Sequence, residues 1–278
     1  MLNIAEKNSE MISNTLSTIS LTFLVCLSPA ANCQSKLSKD EIIDKYLKNG
    51  AWKYGLFSQE WQQKIDEGLK VDSTVAYLWQ QKSMPLFKQM KYQEGMKALN
   101  RAVKFDPDKW TEYRGFMNCI FVKNYYAAIR DFELCKKNSP GRFVMDHSYD
   151  FYIAVSYIQL NQFKKAEELL DEEIRKDTQK SGADWVHYMT LFYSGIAKFE
   201  QNKLREAIIE FDKAIKQYSH FSDAKYYKGA ALQKLGQVEE GTKVIKEAKA
   251  DFETGYTINE DNALYERYPY QVNWKLLR

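Results

Sequence analysis

The sequence predicts an all-α fold, a solenoid in which helical hairpins stack side by side. Residues 188–223 (YMTLFYSGIAKFEQNKLREAIIEFDKAIKQYSHFSD) have the pattern of two amphipathic helices joined by a tight turn. The small residues of this stretch recur farther along the chain at nearly constant spacing. Only 5 Pro and 12 Gly in 278 residues leave little material for the many turns of an all-β protein.

The apolar residues of this reference hairpin define its helices. The second helix carries one stripe at i, i+1, i+4, i+7 and i+8: Ala207, Ile208, Phe211, Ala214 and Ile215. Asn202 is expected to end the first helix, because Asn tolerates the left-handed conformation. Gly195 costs roughly 1 kcal/mol in a helix relative to Ala, so we expect a packing reason, namely close approach to Ala207.

A shift of 34 residues superimposes the special positions of this hairpin on the next one. The matched pairs are Gly195 with Gly229, Asn202 with Gly236, Ala207 with Gly241, and Ala214 with Ala248. Four matches at one period indicate a repeat protein.

The net charge excludes one class of partner. It is only +3, and Lys and Arg are mixed with Glu and Asp along the chain. A nucleic-acid surface requires a concentrated basic patch, so no nucleic-acid partner is predicted.

Residues 1–33 are predicted to be a signal peptide, with a buried N-terminal helix as the alternative. Residues 21–27 (LTFLVCL) form an apolar run too short to span a bilayer, and small residues follow it. Cleavage after Ala30 and cleavage after Cys33 both stay open. Cys33 is instead a candidate lipid anchor in a further alternative, although Asn32 is unfavourable before such a cysteine. No other run approaches membrane length. We therefore expect an exported protein of the periplasm or outer membrane that is not transmembrane.

The rest of the chain divides into three parts. Residues 34–74 are predicted to be an atypical N-terminal capping hairpin, with Ser58 as a helix N-cap. Residues 75–252 are predicted to hold five repeats with a longer connector at 178–182. The expected hairpins are 76–107, in which Pro107 stops the second helix, 109–140, 147–177, 188–219 and 222–252. Residues 253–278 form an aromatic tail.

The repeats resemble the tetratricopeptide-repeat (TPR) family. Its pattern places a large residue, Gly or Ala, and then Tyr in the first helix, and alternating aromatic residues and Ala in the second. Ala154, Tyr157, Phe163 and Ala166 follow it, whereas Ser83 and Phe116 depart from it. The resemblance implies a right-handed α-solenoid of about six hairpins. The segments MDHSYDFY and GYTINEDN also resemble exported TPR proteins of Gram-negative bacteria.

The family resemblance implies that ligands lie along a concave face formed by the first helices. The register places aromatic residues there: Tyr113, Phe151, Phe192 and Tyr226, with Tyr152, Tyr193 and Tyr227 beside them. These residues are the predicted partner-binding site, because tyrosine offers a large contact area and a hydroxyl. The alternative is that the first four only pack between repeats. Tyr152, Tyr193 and Tyr227 are expected to be exposed.

No catalytic or cofactor motif is present in the sequence. The one arrangement to weigh is Asp146–His147 with Asp184 and His187, at the starts of two successive first helices. It is either a weak metal or acid–base site, or a pair of aspartate N-caps beside histidines whose hydrogen-bond partners are nearby in the chain. The second interpretation is favoured, so no metal site, cofactor or enzyme activity is predicted.

Two cysteines fall in the repeats. The register separates Cys119 from Cys135 by roughly 10 Å along their hairpin, beyond disulfide reach. Both are predicted to be free, packed thiols.

The aromatic tail has two interpretations. Residues 253–278 hold four Tyr and one Trp, too aromatic for a disordered end. The tail either caps the last hairpin, as solenoids require, or places its YPYQ segment in the groove as an internal ligand.

The sequence thus predicts a non-catalytic protein–protein interaction scaffold that binds an extended peptide or a partner protein in its groove. The alternative is a carbohydrate-binding component of an envelope uptake system that uses the tyrosines. Neither the ligand nor the oligomeric state follows from the sequence.

Overall fold

The computed structural model describes residues 37–277 and confirms an all-α chain of stacked helical hairpins. Five consecutive helix pairs follow a shorter N-terminal unit. The helices of the described range are α1 (Lys39–Ile42), α2 (Gln59–Val71), α3 (Ala76–Lys88), α4 (Tyr92–Phe105), α5 (Pro107–Ile120), α6 (Tyr125–Asn138), α7 (Tyr149–Gln159), α8 (Phe163–Ser181), α9 (Tyr188–Glu200), α10 (Leu204–Gln217), α11 (Ser222–Lys234) and α12 (Val238–Glu253). One short antiparallel pair, β1 (Phe143–Val144) and β2 (His147–Ser148), precedes α7.

The N-terminal unit is less regular than the pairs that follow. α1 continues as a π-helical segment, Ile43–Lys48, and a 3-10 turn, Ala51–Lys53, leads towards α2. Ser58 caps α2 as predicted, since its hydroxyl accepts a hydrogen bond of 3.2 Å from the Trp61 backbone N–H. The apolar side chains of the N-terminal unit form a separate core cluster.

Each of the five pairs turns through a residue in the left-handed conformation. These residues are Met90 (φ 60°), Lys123 (φ 59°), Asn161 (φ 57°), Asn202 (φ 60°) and Gly236 (φ 86°). The predicted roles of Asn202 and Gly236 are confirmed. Met90 occupies this conformation without the local hydrogen bonds by which Asn lowers its cost.

Two helix boundaries differ from the prediction. α8 extends to Ser181, so most of the expected connector at 178–182 is helical and only Gly182 (φ 100°) ends it. α4 already ends at Phe105, and Pro107 is the first residue of α5, where the missing N–H costs nothing and the Asp106 side chain caps the turn.

The packing of Gly195 corrects one predicted contact. A Cβ placed on Gly195 would lie 2.5 Å from Cε1 of Phe211, so the phenyl ring, not Ala207, requires a glycine here. The equivalent pair one repeat later does meet directly, because a Cβ on Gly241 would lie 2.5 Å from the Gly229 carbonyl oxygen. The two hairpins therefore pack closely through different atoms.

Cys119 and Cys135 are free and buried, as predicted. Burial raises the pKa of both thiols to about 11, which keeps them protonated and unreactive. Among the described helices, none combines the length and the hydrophobicity needed to cross a membrane.

Candidate functional site

The candidate site is the side of α7, α9 and α11 that faces the C-terminal tail. We call this side the first-helix face and residues 254–277 the C-terminal tail. The tail contains no regular helix or strand. It crosses the face in an outward leg (residues 256–265), turns near α3 and α5, and comes back in a return leg (268–274).

The outward leg begins at α11 and passes α9 and α7. The Thr257 hydroxyl and the Ile258 backbone N–H donate to Oδ2 of Asp223, at 2.8 and 2.9 Å. Farther on, Glu260 lies between the starts of α7 and α9. Its Oε2 is 2.9 Å from Nε2 of His147, and its Oε1 accepts a 3.0 Å hydrogen bond from the Tyr188 hydroxyl.

The tail turns beside the ends of α3 and α5. Lys88 Nζ lies 4.4 Å from the centre of the Tyr265 ring, and the Tyr92 hydroxyl donates to the Glu266 carboxylate. Lys123 Nζ donates to the Arg267 carbonyl oxygen at 2.6 Å. The tail therefore spans the repeats from the last pair to the first.

The return leg lies beside the outward one and comes back to α11. The buried Tyr268 donates from its hydroxyl to the Asp261 carbonyl, which links the two legs (3.0 Å). Tyr193 donates to the Pro269 carbonyl oxygen at 2.8 Å. The Trp274 ring then packs on Phe252 of α12, at 5.9 Å between ring centres.

Asp223 holds both legs with one carboxylate. Its Oδ1 accepts the Val272 backbone N–H at 2.7 Å, while Oδ2 accepts the two donors of the outward leg. The residue is 0% exposed. Burial raises the pKa of Asp223, and the hydrogen bonds from Val272, Thr257 and Ile258 oppose that rise.

Solved structures share this architecture. A tetratricopeptide repeat protein from Parabacteroides merdae ATCC 43184 aligns with a TM-score of 0.61 at 14% identity, over 77% of this chain and 79% of that one. PilW, a widely conserved type IV pilus biogenesis factor, aligns at 0.57 and 14% identity, over 77% of this chain and 92% of its own. MamA from Desulfovibrio magneticus RS-1 gives 0.53 at 13% identity, over 65% and 96%.

The chain has the tetratricopeptide-repeat fold. The family resemblance found in the sequence is confirmed at the level of structure. No family model and no curated protein matches the sequence.

The TPR register brings the predicted aromatic residues to the first helices, but the expected exposure is wrong for two of them. Tyr152 and Tyr193 are 0% exposed. Tyr152 stacks on Phe132, with 5.2 Å between ring centres, and its hydroxyl donates to the Met145 carbonyl. Tyr193 is covered by the return leg at Pro269. Both positions therefore lie inside the protein when the tail is in place.

Of the other predicted residues, some pack in the core and some contact the tail. Phe151 and Phe192 are fully buried, Phe151 under the His147 ring and Phe192 against Phe221. Tyr226 and Tyr227 are half-buried and meet the tail. Their ring centres lie 5.5 Å from Trp274 and 5.7 Å from Tyr270, respectively. Tyr113 is half-buried, with its ring centre 6.1 Å from that of Trp110.

The favoured interpretation of the two Asp–His pairs is wrong. Ser148 and His187, not Asp146 and Asp184, are the N-caps of α7 and α9. The expectation that the starts of successive first helices are neighbours holds, since the rings of His147 and His187 lie 4.8 Å apart. Glu260 lies beside both histidines and is 113 residues after His147, so the expected local hydrogen bonding is wrong for His147. It is right for His187, whose ring accepts a hydrogen bond from the Met189 backbone N–H.

Sequence reasoning missed Asp223 and Glu260, the two carboxylates that hold the tail. Asp223 lies in the first turn of α11, where an acidic residue is ordinarily explained by the helix dipole. Glu260 lies in the GYTINEDN segment, and its acidic side chain resembles any solvated one. Only the aromatic composition of the tail indicated that this segment packs on something.

Proposed function

We propose that the protein is a non-catalytic scaffold that binds an extended segment of a partner protein on the first-helix face. The supporting observation is the way this face holds the tail, which is itself an extended segment. Asp223 accepts backbone N–H groups of Ile258 and Val272, and Tyr193 donates to a backbone carbonyl. These contacts recognise main-chain atoms that every peptide offers.

The tail and a partner segment compete in this proposal. A foreign chain gains the same main-chain hydrogen bonds only after the tail has left. Tyr226, Tyr227 and Tyr193 then contribute large, rigid contact surfaces. The predicted roles of Tyr152 and Phe151 reduce to supporting the face from beneath, because Tyr152 donates to the Met145 carbonyl and Phe151 stacks on the His147 ring.

A cleavable tail tests the proposal in the full chain. A protease site inserted after Gly255, which is exposed, allows the tail to be cut without deleting it. A fluorescent peptide of residues 256–274 should then exchange into the face, as measured by anisotropy. An uncut sample of the same protein is the control and should bind at least tenfold more weakly. Equal binding by cut and uncut protein, or none by either, would contradict the proposal.

The same cut protein identifies the partner. Envelope proteins captured by the cut chain should be displaced by the free tail peptide and should not be displaced by a scrambled peptide. Retention of a captured protein in the presence of excess tail peptide would place its binding site elsewhere. Binding to glycans without a protein partner would favour the carbohydrate alternative.

We also propose that the protein acts in the cell envelope. The support is the predicted signal peptide at residues 1–33, which lies outside the described residues, and the likeness in fold to a type IV pilus biogenesis factor. Fractionation and the mass of the mature chain test export. Changing Cys33→Ser should release the protein from the membrane fraction if that cysteine is lipidated.

A further inference from the structure

Three metal-binding side chains converge where the tail crosses from α9 to α7. His147 lies in β2, His187 begins α9, and Glu260 lies in the outward leg. One ligand atom from each lies within 4.8 Å of the other two. The two imidazole rings are perpendicular, with their centres 4.8 Å apart.

The cluster is held in place by its surroundings. The His147 side chain is 2% exposed and that of Glu260 is 8% exposed. The His147 ring stacks on Phe151 at 3.9 Å, and the Tyr188 hydroxyl fixes the second oxygen of Glu260. Metal ligands in proteins are oriented by this kind of outer contact, whereas a chance surface cluster lacks it.

The Glu260 carboxylate has no lysine or arginine beside it among the described residues. Within the described residues, the ion-pair partner of the Glu260 carboxylate is His147, and no Lys or Arg lies within 4 Å of it. A buried carboxylate needs positive charge beside it.

We propose that His147, His187 and Glu260 bind a divalent transition-metal ion, with Zn²⁺ as the best match. Two imidazole nitrogens and one carboxylate oxygen are a zinc ligand set, and water completes the tetrahedron. Mg²⁺ and Ca²⁺ prefer ligand sets made of oxygen alone. The ion takes the place of the hydrogen in the His147–Glu260 hydrogen bond, which leaves as a proton to solvent, and the ion's positive charge lies beside the buried carboxylate.

The distances agree with this assignment. Zinc bonds of about 2.0 to 2.2 Å separate tetrahedral ligand atoms by about 3.3 to 3.6 Å. The observed separations begin at 2.9 Å and do not exceed 4.8 Å, so small side-chain movements suffice. His187 can make such a movement, since its ring accepts only a long hydrogen bond, 3.3 Å, from the Met189 backbone N–H.

The ion would join three segments that are distant in sequence, two from the repeats and one from the tail. Metal binding therefore pins the tail to the first-helix face, and chelation loosens it. This inference does not depend on which partner the face binds, because metal binding and tail exchange are measured in the protein alone.

Calorimetric titration of the metal-free full chain with Zn²⁺ tests the site. We expect one ion per chain and at least a tenfold loss of affinity in His187→Gln and in Glu260→Gln. His220→Gln is the matched control. It changes the third histidine of the chain, which pairs with Asp251 outside the cluster, and should bind Zn²⁺ like the wild type. Hydrogen exchange of residues 257–272 should slow at least tenfold with Zn²⁺ in the wild type and not in Glu260→Gln.

Several results would overturn the proposal. These are the absence of stoichiometric Zn²⁺ binding, an equal loss of affinity in His220→Gln, and Mg²⁺ binding as tight as Zn²⁺ binding. Binding of Zn²⁺ without slower exchange in the tail would overturn the pinning of the tail. Circular dichroism of each variant separates loss of the site from loss of the fold.

Discussion

Asp223→Asn should release the tail while leaving the repeats folded. The carboxylate accepts the backbone N–H groups of Val272 and Ile258 on different oxygens, at 2.7 and 2.9 Å. Asparagine has one carbonyl oxygen, so its amide N–H₂ must face one of these two donors. The substitution therefore removes one hydrogen-bond acceptor and places the amide N–H₂ of asparagine against a backbone N–H, so that two donors face each other.

The size of the effect follows from these contacts. A hydrogen bond to a charged group contributes about 1.5 to 3 kcal/mol, and one such bond is lost outright. Part of this loss is offset, because burial raises the pKa of Asp223 and neutral asparagine avoids that desolvation cost. A net cost of about 2 kcal/mol corresponds to a roughly thirtyfold larger open population of the tail.

Hydrogen exchange measured by mass spectrometry reports this population directly. Peptides from residues 256–274 should exchange about thirty times faster in Asp223→Asn, and peptides from α9 should be unchanged. Asp212→Asn is the control, because Asp212 is half-exposed and pairs only with Lys228 at 2.6 Å. Unchanged exchange in the tail, or an equal increase in α9, would refute this account of Asp223.

Three further substitutions test the packing of the repeats. Met90→Asn should raise the free energy of unfolding by about 1 kcal/mol, because Asn tolerates the left-handed turn; an unchanged or lower melting temperature would contradict this. Gly195→Ala should lower it by about 1 to 2 kcal/mol in urea unfolding, since the added Cβ meets the Phe211 ring; a stability equal to wild type would show that the ring can yield. Glu167→Gln should cost about 1 kcal/mol at pH 7, because Glu167 accepts a hydrogen bond from Lys203 at 2.6 Å. Burial raises the pKa of Glu167, but its hydrogen bonds lower the pKa by more, so the net pKa lies below 4.5. The stabilisation by the Glu167 carboxylate is therefore present above pH 4.5 and is lost as the pH falls further. A cost of Glu167→Gln that is equal at pH 7 and pH 3 would rule out this explanation.

The repeat architecture was predictable because its determinants are local. The turn residues Asn202 and Gly236 and the cap Ser58 each act within a few residues of themselves, and the 34-residue period repeats such local units along the chain. Apolar spacing along one helix fixes which side is buried. The same local information identified the first helices that carry the candidate site.

The occupancy of the site was not predictable by these means. Tyr193 was expected to be exposed, and within its own hairpin nothing contradicts that expectation. Its side chain is buried, and its hydroxyl donates to the Pro269 carbonyl, 76 residues away. Glu260 and His147 are likewise far apart along the sequence. Neither the covering of the face nor the metal-binding cluster therefore follows from the periodic pattern.

The path of the tail also has a consequence for how the chain is made. Its hydrogen bonds to the repeats include pairs 113 and 174 positions apart, whereas each helical pair is complete within about 34 residues. During synthesis the repeats can fold one after another as they emerge, and the tail is made after them. For that interval the first-helix face is complete and not yet covered by the tail, so the partner proposed above would meet an open surface if it is present during synthesis.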